Sequence, residues 1–136
     1  MEHENLARLR AGLRAFGERD LAGLREIFGE DVIWHYGGTS VLAGLYVGFA
    51  EVFELFARRA ALSEDTYAVH LQQAIANDEF ITVLMRCTGV RHALPSGVAP
   101  KRLEQSICYV YRLVEGKVVE AWGHPSDPEA ERAFYE

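Results

Sequence analysis

The sequence predicts a single α+β domain over residues 1–136, with helices mainly in its first half and strands in its second. Two observations predict this order. Apolar residues recur at steps of three and four in several segments of the first 61 residues, whereas short runs of β-branched and aromatic residues between turns dominate after residue 66. With 136 residues, 49% apolar and 25% charged, the chain is large enough and ordinary enough in composition to bury one core.

The first two predicted helices are separated by an aspartate that suits a helix cap. The first helix covers residues 3–17 and ends at Gly17. Its apolar face is spaced at three and four residues and consists of Leu6, Leu9, Leu13 and Phe16. Asp20 is placed to cap a short second helix, which Gly29 closes.

Two short strands and a third helix follow. Residues 31–36 are rich in β-branched and aromatic side chains and predict a strand, and residues 42–47 predict a second extended piece. Residues 49–61 predict a helix, with Arg58 and Arg59 off its apolar stripe. That stripe consists of Val52, Phe53, Phe56 and Ala60.

The second half of the chain predicts four strands, over residues 66–76, 80–90, 103–113 and 118–122. A loop rich in proline and glycine occupies residues 91–102, and residues 126–129 open a short C-terminal helix. Several strands are apolar on both faces, so both faces of the sheet should be covered. Helices would cover one face, and a second copy of the chain would cover the other, which predicts a homodimer.

Charge and composition exclude some classes of partner. The net charge of −6 disfavours nucleic acid, because an acidic surface repels phosphates. No apolar run is long enough to span a bilayer, and the first residues lack a secretory signal, so we expect a cytoplasmic protein without a membrane partner. Cys87 and Cys108 lack metal or redox spacing and suggest two buried, reduced thiols.

Seven segments carry a resemblance to a known family, namely residues 13–16, 20–24, 31–35, 43–48, 109–113 and 116–122 and Asp127. In this order and spacing, the chain resembles the SnoaL-like branch of the NTF2-like superfamily over nearly its whole length. The resemblance implies a cone with a strongly curved, mixed or antiparallel sheet, whose N-terminal helices enclose a pocket for a small apolar organic ligand. The superfamily includes ketosteroid isomerases, polyketide cyclases, epoxide hydrolases, dehydratases and members without known chemistry, so the fold alone does not name a reaction.

Ketosteroid isomerases suggest where a proton acceptor would lie. Their general-base aspartate corresponds here to His35, their protonated aspartate to Tyr109, and the tyrosine of their first helix to Gly12. The isomerase set is therefore not reproduced, but a histidine that faces a tyrosine hydroxyl is a sensible proton-transfer pair. Alternatively, His35 is a structural histidine. Trp34 and His35 are neighbours on a strand and should point to opposite sides, so only one of them would line the pocket.

Tyr109 is the predicted hydrogen-bond donor to an enolate or alkoxide oxygen. Ile107 and Tyr111 share its strand face, so all three would line the pocket together. The alternative is that these side chains are ordinary core or interface residues.

Asp127 and His124 are secondary candidates. The carboxylate could orient His124 or act as a base itself, yet Asp127 before Pro128 and Glu129 is also typical of a helix cap. With His35, the two residues could form a two-histidine, one-carboxylate metal site, although nothing in the spacing requires one. We expect no metal and no cofactor.

The remaining candidate ligand-binding residues could either wall the pocket or fill it, and they are Phe16, Trp34, Tyr36, Phe53, Phe56, Tyr67, Ile107, Tyr111 and Trp122. The leading hypothesis is a cofactor-independent enzyme of isomerase, cyclase or dehydratase type that acts on an apolar, carbonyl-bearing compound. The alternative is a non-catalytic ligand-binding or dimerisation module of the same fold. The direction of the His35 side chain separates these hypotheses.

Overall fold

The computed structural model describes residues 3–92 and 95–136 and has the predicted order of helices and strands. Residues 1, 2, 93 and 94, the last two within the predicted loop, lie outside the described residues. The elements are α1 (Glu4–Glu18), α2 (Leu21–Ile27), β1 (Phe28–Tyr36), β2 (Gly44–Val47), α3 (Gly48–Leu62), β3 (Ala68–Ala76), β4 (Phe80–Arg91), β5 (Lys101–Val114), β6 (Lys117–Pro125) and α4 (Pro128–Tyr135). Helices and strands are therefore combined as the α+β prediction required.

One curved, open sheet of six strands organises the fold, in the order β2-β1-β6-β5-β4-β3. β1 and β6 pair in parallel, and every other neighbouring pair is antiparallel, so the sheet is mixed. The parallel pair brings the early strand β1 beside the last strand, far away in sequence. Trp34 of β1 consequently lies opposite Ala121, and Tyr36 lies opposite Gly123.

The end of α1 differs from its prediction. Gly17 does not end the helix, which continues to Glu18. Arg19 ends it in a left-handed conformation with a φ of 57°, and its N–H donates to the carbonyl of Phe16. Glycine weakens a helix interior by only about 1 kcal/mol, so one glycine does not stop a helix that packs well on its apolar face.

The start of α2 follows its prediction, but its end does not. The Asp20 carboxylate accepts a hydrogen bond from the N–H of Gly23 at 3.0 Å, as a helix cap does. The helix ends at Ile27, and Gly29 lies inside β1 rather than closing the helix. Phe28 leads the chain directly into extended conformation, so the turn expected at Gly29 is not made.

The buried face of α3 corrects the predicted stripe. Arg59 was expected beside Arg58 on the solvent side, yet it is buried with 3% of its surface exposed. The buried positions Val52, Leu55 and Arg59 follow one another at steps of three and four, and they turn toward the sheet. The prediction assigned the neighbouring apolar residues to the buried face instead of Arg59, because a charged side chain is rarely buried without a partner of opposite charge.

Residues in register across the strands define two faces of the sheet. The inner face packs against the helices and carries Trp34 and Tyr36 of β1 together with Tyr109 and Tyr111 of β5. The outer face points away from them, and it carries His35. Because successive side chains of a strand alternate, each residue that enters the core sends its neighbour to the outer face.

The short helix α4 covers one end of the inner face, where it packs on β5. Its buried side chains are Glu131, Phe134 and Tyr135. Lys101 of β5 donates a hydrogen bond to the carbonyl of Ala133 at 2.9 Å, which fastens the helix to the sheet. Among the described helices, none is both long and apolar enough to cross a bilayer.

Candidate ligand-binding site

Two connected spaces lie between the helices and the inner face of the sheet. The inner cavity, of about 70 Å³, is enclosed by α1, α2, α3 and the inner-face strands. The vestibule, of about 740 Å³, extends from it to exposed residues of α3 such as Glu54 and Ala57. The two spaces share seven lining residues, which are Leu13, Phe16, Leu24, Phe56, Arg59, Tyr67 and Val69. Together they have the size of a small-molecule site.

Aromatic side chains form a large part of the inner cavity wall, together with aliphatic ones. Of the predicted ligand-binding residues, those that line it are Phe16, Trp34, Phe56, Tyr67 and Tyr111, and Phe53 lines the vestibule. Tyr109, predicted as a hydrogen-bond donor, lines the inner cavity as well. The Trp34 ring packs edge-on against Phe56, with ring centres 5.4 Å apart. Such packing holds the wall rigid, so a ligand would meet a preformed surface.

Arg59 places a cation at the junction of the two spaces. Its guanidinium carbon lies 4.9 Å from the centre of the Tyr36 ring and 5.0 Å from that of Tyr67, so it is held between two aromatic faces. Burial lowers the pKa of Arg59, but the surrounding tyrosine oxygens outweigh burial and raise it well above its usual value. The group therefore stays cationic. Its Nε and Nη2 atoms have no partner at hydrogen-bonding geometry within residues 3–92 and 95–136. The hydroxyls of Tyr109 and Tyr135 nevertheless lie close to the guanidinium, since an interaction with Arg59 partly lowers the pKa of each.

Tyr109 provides a hydroxyl in the same region. Burial raises the pKa of Tyr109 to about 12, although the charge of Arg59 lowers it in part. At neutral pH the hydroxyl keeps its proton and can donate a hydrogen bond. Its ring stacks on Tyr111 at 5.5 Å and lies against Gly123, where a Cβ atom would come within 2.4 Å of the ring. Gly123 thus leaves the space that Tyr109 occupies.

A buried carboxyl meets the hydroxyl of Tyr36, whose ring face carries the guanidinium of Arg59. The Tyr36 hydroxyl donates to Glu131 at 2.5 Å, and Glu131 is fully buried. Burial raises the pKa of Glu131, while the bond from Tyr36, the charge of Arg59 and a hydrogen bond from Gln105 partly offset the rise. Tyr36 and Ile107 are buried on the inner face but line neither space, so they support the site from behind.

His35 points away from the cavity. On the outer face its ring stacks parallel to Trp122, with centres 5.5 Å apart, and its Nε2 lies 2.7 Å from Glu120. Glu120 also lies 3.6 Å from Arg112. His35 and Tyr109 are therefore on opposite faces and do not form the expected pair. Of the two neighbours on β1, Trp34 lines the cavity and His35 does not.

The outer face is partly exposed around His35, and Trp122 belongs to it rather than to the cavity wall. Leu45, opposite His35 on β2, and Val47 are exposed apolar residues. The homodimer expected from two-sided apolar strands stays a prediction.

Asp127 and His124 also lie outside both spaces. Asp127 caps α4, because its carboxylate accepts from the N–H of Ala130 at 3.0 Å. His124 is exposed on β6, beside Cys108 of β5. No group of three histidine, cysteine or acidic side chains within the described residues is arranged to hold a metal ion. His35, His124 and Asp127 therefore do not converge.

Sequence reasoning missed two residues of this region, Arg59 and Glu131. Both had a detectable signal. Arg59 continues the spacing of Val52 and Leu55, and Glu131 lies three residues before Phe134 on the buried side of α4. A charged residue at a position that helical spacing assigns to the core should therefore be predicted as buried, as an apolar residue would be.

Comparison with known proteins identifies the family. The model of the SnoaL-like domain matches residues 9–121. The chain belongs to the SnoaL-like family. An uncharacterised protein of Mycobacterium tuberculosis (strain H37Rv) is 25% identical to this SnoaL-like protein over 127 residues, which cover 93% of this chain and 92% of that protein.

Solved structures share the fold over nearly the whole SnoaL-like chain. Bal32a, from a soil-derived mobile gene cassette, is 28% identical with a TM-score of 0.85 and covers 97% of this chain and 96% of its own. IdmH of Streptomyces antibioticus, described as a candidate polyketide cyclase, is 19% identical with a TM-score of 0.74 over 92% and 94%. TerC, co-crystallised with polyporic acid, is 16% identical with a TM-score of 0.75 over 91% and 92%. An NTF2-like protein of Burkholderia xenovorans also shares the fold, with a TM-score of 0.77, which confirms the NTF2-like fold that the sequence predicted.

Proposed function

We propose that this SnoaL-like protein binds an apolar, carbonyl-bearing organic compound, with its oxygen directed at Arg59 and Tyr109. One observation carries the proposal: the buried guanidinium of Arg59, with two unpartnered nitrogens, lies in a wall whose other residues are mainly aromatic and aliphatic, with Arg8 as the second charged residue. Small-molecule sites combine such apolar walls with a few polar groups that orient the ligand.

The free energy of binding favours a ligand oxygen beside Arg59. A buried donor that lacks a partner costs about 1–3 kcal/mol, so a ligand oxygen that accepts from Arg59 recovers that cost. The apolar body of the ligand gains about 25 cal/mol for each Å² that it removes from water. Apolar contact therefore supplies affinity, and the guanidinium supplies orientation.

The same arrangement suits acid–base chemistry without a cofactor. A carboxylate would take a proton from the carbon beside the carbonyl, the C–H electron pair would form a C=C bond, and the π pair of the carbonyl would move to its oxygen. The resulting enolate would accept hydrogen bonds from Arg59 and Tyr109, and the new carboxylic acid would return the proton to another carbon. Glu54 and Asp65 line the vestibule, and Asp65 is paired with Arg19 at 2.7 Å. Glu54 is therefore our candidate proton acceptor, for an isomerase, cyclase or dehydratase type of reaction.

The second candidate function is a non-catalytic binding module. It is favoured by the direction of His35 and by the inner cavity wall, whose described lining residues include no histidine or carboxylate. Both functions need the same ligand position. They differ only in whether bound carbonyl compounds react.

Tryptophan fluorescence tests binding. The chain has two tryptophans, Trp34 in the cavity wall and Trp122 on the outer face. In a Trp122→Phe variant, we expect aromatic ketones such as 2-tetralone to quench Trp34 emission in a saturable way. The matched Trp34→Phe variant retains only Trp122, and its emission should stay constant. Equal quenching of both variants, or quenching of neither, would contradict a cavity site.

Hydrogen exchange tests catalysis. In D₂O, the enzyme hypothesis expects faster loss of the α-proton signals of 2-tetralone in the presence of protein. Arg59→Met should slow this exchange by about 10²-fold, the usual effect of losing an oxyanion donor. Glu54→Gln should slow it too, whereas Glu26→Gln on the exposed surface of α2 should not. Saturable binding without faster exchange would select the binding module.

A further inference from the structure

We propose that Arg8 closes the end of the inner cavity that lies away from the vestibule, and that it thereby limits the length of the apolar group that the cavity accepts. The methylene stem of Arg8, rather than its charge, meets the ligand. The inference rests on the proposed function and refines it, because it adds a size limit to the ligand class. A compact apolar group enters the inner cavity, and larger substituents of the ligand lie in the vestibule.

The inner cavity runs along α1. Phe16 and Leu13 line both spaces, and toward the start of the helix they are followed by Gly12, Leu9 and Arg8, which line only the inner cavity. A helix rises about 1.5 Å for each residue, so Phe16 and Arg8 are separated by about 12 Å along the helix axis. The vestibule therefore joins the cavity at one end of this row of residues, and Arg8 lies at the other end.

Arg8 borders both the inner cavity and solvent. Leu9 of α1, Leu113 of β5 and Val118 of β6 also line the cavity, and each has at most 7% of its surface exposed. The side chain of Arg8 is 40% exposed, although it lines the same cavity. A side chain that has the cavity on one side and solvent on the other separates the two.

The guanidinium of Arg8 lies on the turn between β5 and β6. Glu115 and Gly116 form this turn in left-handed conformations, with φ of 51° and 77°, as in a two-residue hairpin. A Cβ atom on Gly116 would lie 2.8 Å from Cζ of Arg8 and 2.9 Å from its Nη2. Because Gly116 has no side chain, the guanidinium has room to lie there. Arg8 therefore extends from α1 to the β5–β6 turn.

Polar contacts hold Arg8 in this position. Its Nη1 donates to Oδ1 of Asn5 at 2.6 Å, and the Glu4 carboxylate lies 3.6 Å away. Asn5 is buried, and its Nδ2 donates to the carbonyl of Asn77 in the turn between β3 and β4 at 2.8 Å. Asn5 therefore fixes the direction of the Arg8 side chain. Because the charged head contacts protein and solvent, the methylene stem is the part that faces the cavity.

This end wall limits the ligand. A ligand whose oxygen meets Arg59, where the two spaces join, extends its apolar group along α1 toward Arg8. Each CH₂ group that finds room in the cavity raises the affinity about fourfold. A group that reaches beyond Arg8 has to displace a side chain that is held at both ends, and packed side chains resist added atoms. The inner cavity therefore selects compact groups.

Two ketones that differ in length test the inference. Acetophenone and para-butylacetophenone share the methyl ketone, and the butyl chain extends from the opposite end of the ring. Both are titrated into the Trp122→Phe variant, in which the quenching of Trp34 reports binding to the cavity. Burial of the whole butyl chain would raise the affinity by about 10²-fold. With Arg8 in place, we expect the butyl chain to raise the affinity by less than about fourfold.

Further variants, made in the same Trp122→Phe protein, assign the limit to Arg8. Arg8→Ala removes the end wall, so the gain in affinity from the butyl chain should become at least about tenfold larger. Arg8→Met keeps a long side chain without the charge, and its gain should stay within about twofold of that with Arg8. The control is Arg14→Ala, because Arg14 is an exposed residue of the same helix that lines neither space. This control should keep the small gain.

The outcomes separate this inference from the proposed function. An equal gain in Arg8→Ala and with Arg8 in place would overturn the end wall while leaving the ligand-binding proposal intact. A gain in Arg8→Met as large as in Arg8→Ala would also overturn it, because the charge rather than the length would then set the limit. If Arg8→Ala does not fold, a gain of about 10²-fold with Arg8 in place still overturns the inference. If neither ketone quenches Trp34 in any variant, the proposed function is contradicted instead.

Discussion

The guanidinium carbon of Arg59 lies 4.9 Å from the centre of the Tyr36 ring, and the hydroxyl of that ring donates to Glu131. One tyrosine thus stands between a buried cation and a buried carboxyl. A direct salt bridge would have neutralised the guanidinium, whereas this arrangement leaves its Nε and Nη2 atoms without partners in the described chain. The geometry keeps a positive charge available inside an aromatic cavity.

We expect His35→Ala to leave ligand quenching of Trp34 unchanged within about twofold, because His35 lies on the outer face. The variant removes a half-exposed contact with Glu120 and the stacking on Trp122. Its free energy of unfolding should fall by no more than about 1 kcal/mol, as for other exposed pairs. Urea unfolding and fluorescence titration measure the two effects. A tenfold loss of affinity in the folded variant would contradict this prediction and indicate that His35 contributes to ligand binding.

We expect Asp127→Ala to lower stability by about 1 kcal/mol, because it removes the cap of α4. Asp127→Asn should retain most of that stability, since an amide oxygen can also accept from the N–H of Ala130. Both variants should exchange the protons of 2-tetralone at the wild-type rate. A loss of exchange in Asp127→Asn with stability preserved would indicate a chemical role for the carboxylate.

We expect Gly123→Ala to disturb the site through Tyr109. The added Cβ would lie 2.4 Å from the Tyr109 ring, so the ring must move, at a cost of about 1–3 kcal/mol. Thermal unfolding measures the cost, and affinity for aromatic ketones should fall as well. The control is Gly29→Ala, where the nearest atom to the added Cβ is 3.5 Å away. Similar losses in both variants would argue against a specific clash with Tyr109.

The buried carboxyl of Glu131 should make stability depend on pH. Because the folded-state pKa of Glu131 is raised, its protonated form favours the folded state. This contribution to the free energy of unfolding is complete below the unfolded-state pKa of about 4.3, and it is lost as pH rises through the folded-state pKa. Glu131→Gln removes this dependence. The wild type should therefore lose stability from pH 4 to pH 8, whereas Glu131→Gln should not. The free energy of unfolding of Glu131→Gln, measured relative to the wild type, should increase over this range.

Urea unfolding at several pH values measures this difference. The exposed Glu129 on the same helix provides the control, and Glu129→Gln should follow the wild-type pH dependence. A constant difference between Glu131→Gln and the wild type across the range would contradict a raised pKa in the folded state.

Much of the fold could be predicted from local patterns. The alternation of strand residues separated Trp34 from His35, and the spacing of α1 identified the side chains that face the sheet. The segment 116–122 and its neighbours placed the chain in its family, as the match over residues 9–121 confirmed. Helix ends were less predictable, because Gly17 and Gly29 fit inside regular elements.

The site was harder to predict than the fold. The sequence alone determined that one of two neighbours on β1 enters the cavity, but only the packing of β1 beside β6 decided that it is Trp34. Likewise, helical spacing was compatible with a buried Arg59, but the rings of Tyr36 in β1 and of Tyr67, just before β3, accommodate its guanidinium in the interior. Side-chain period is a local property of the backbone. Which face becomes the inside depends on contacts between elements distant in sequence, and those contacts exist only in the tertiary structure.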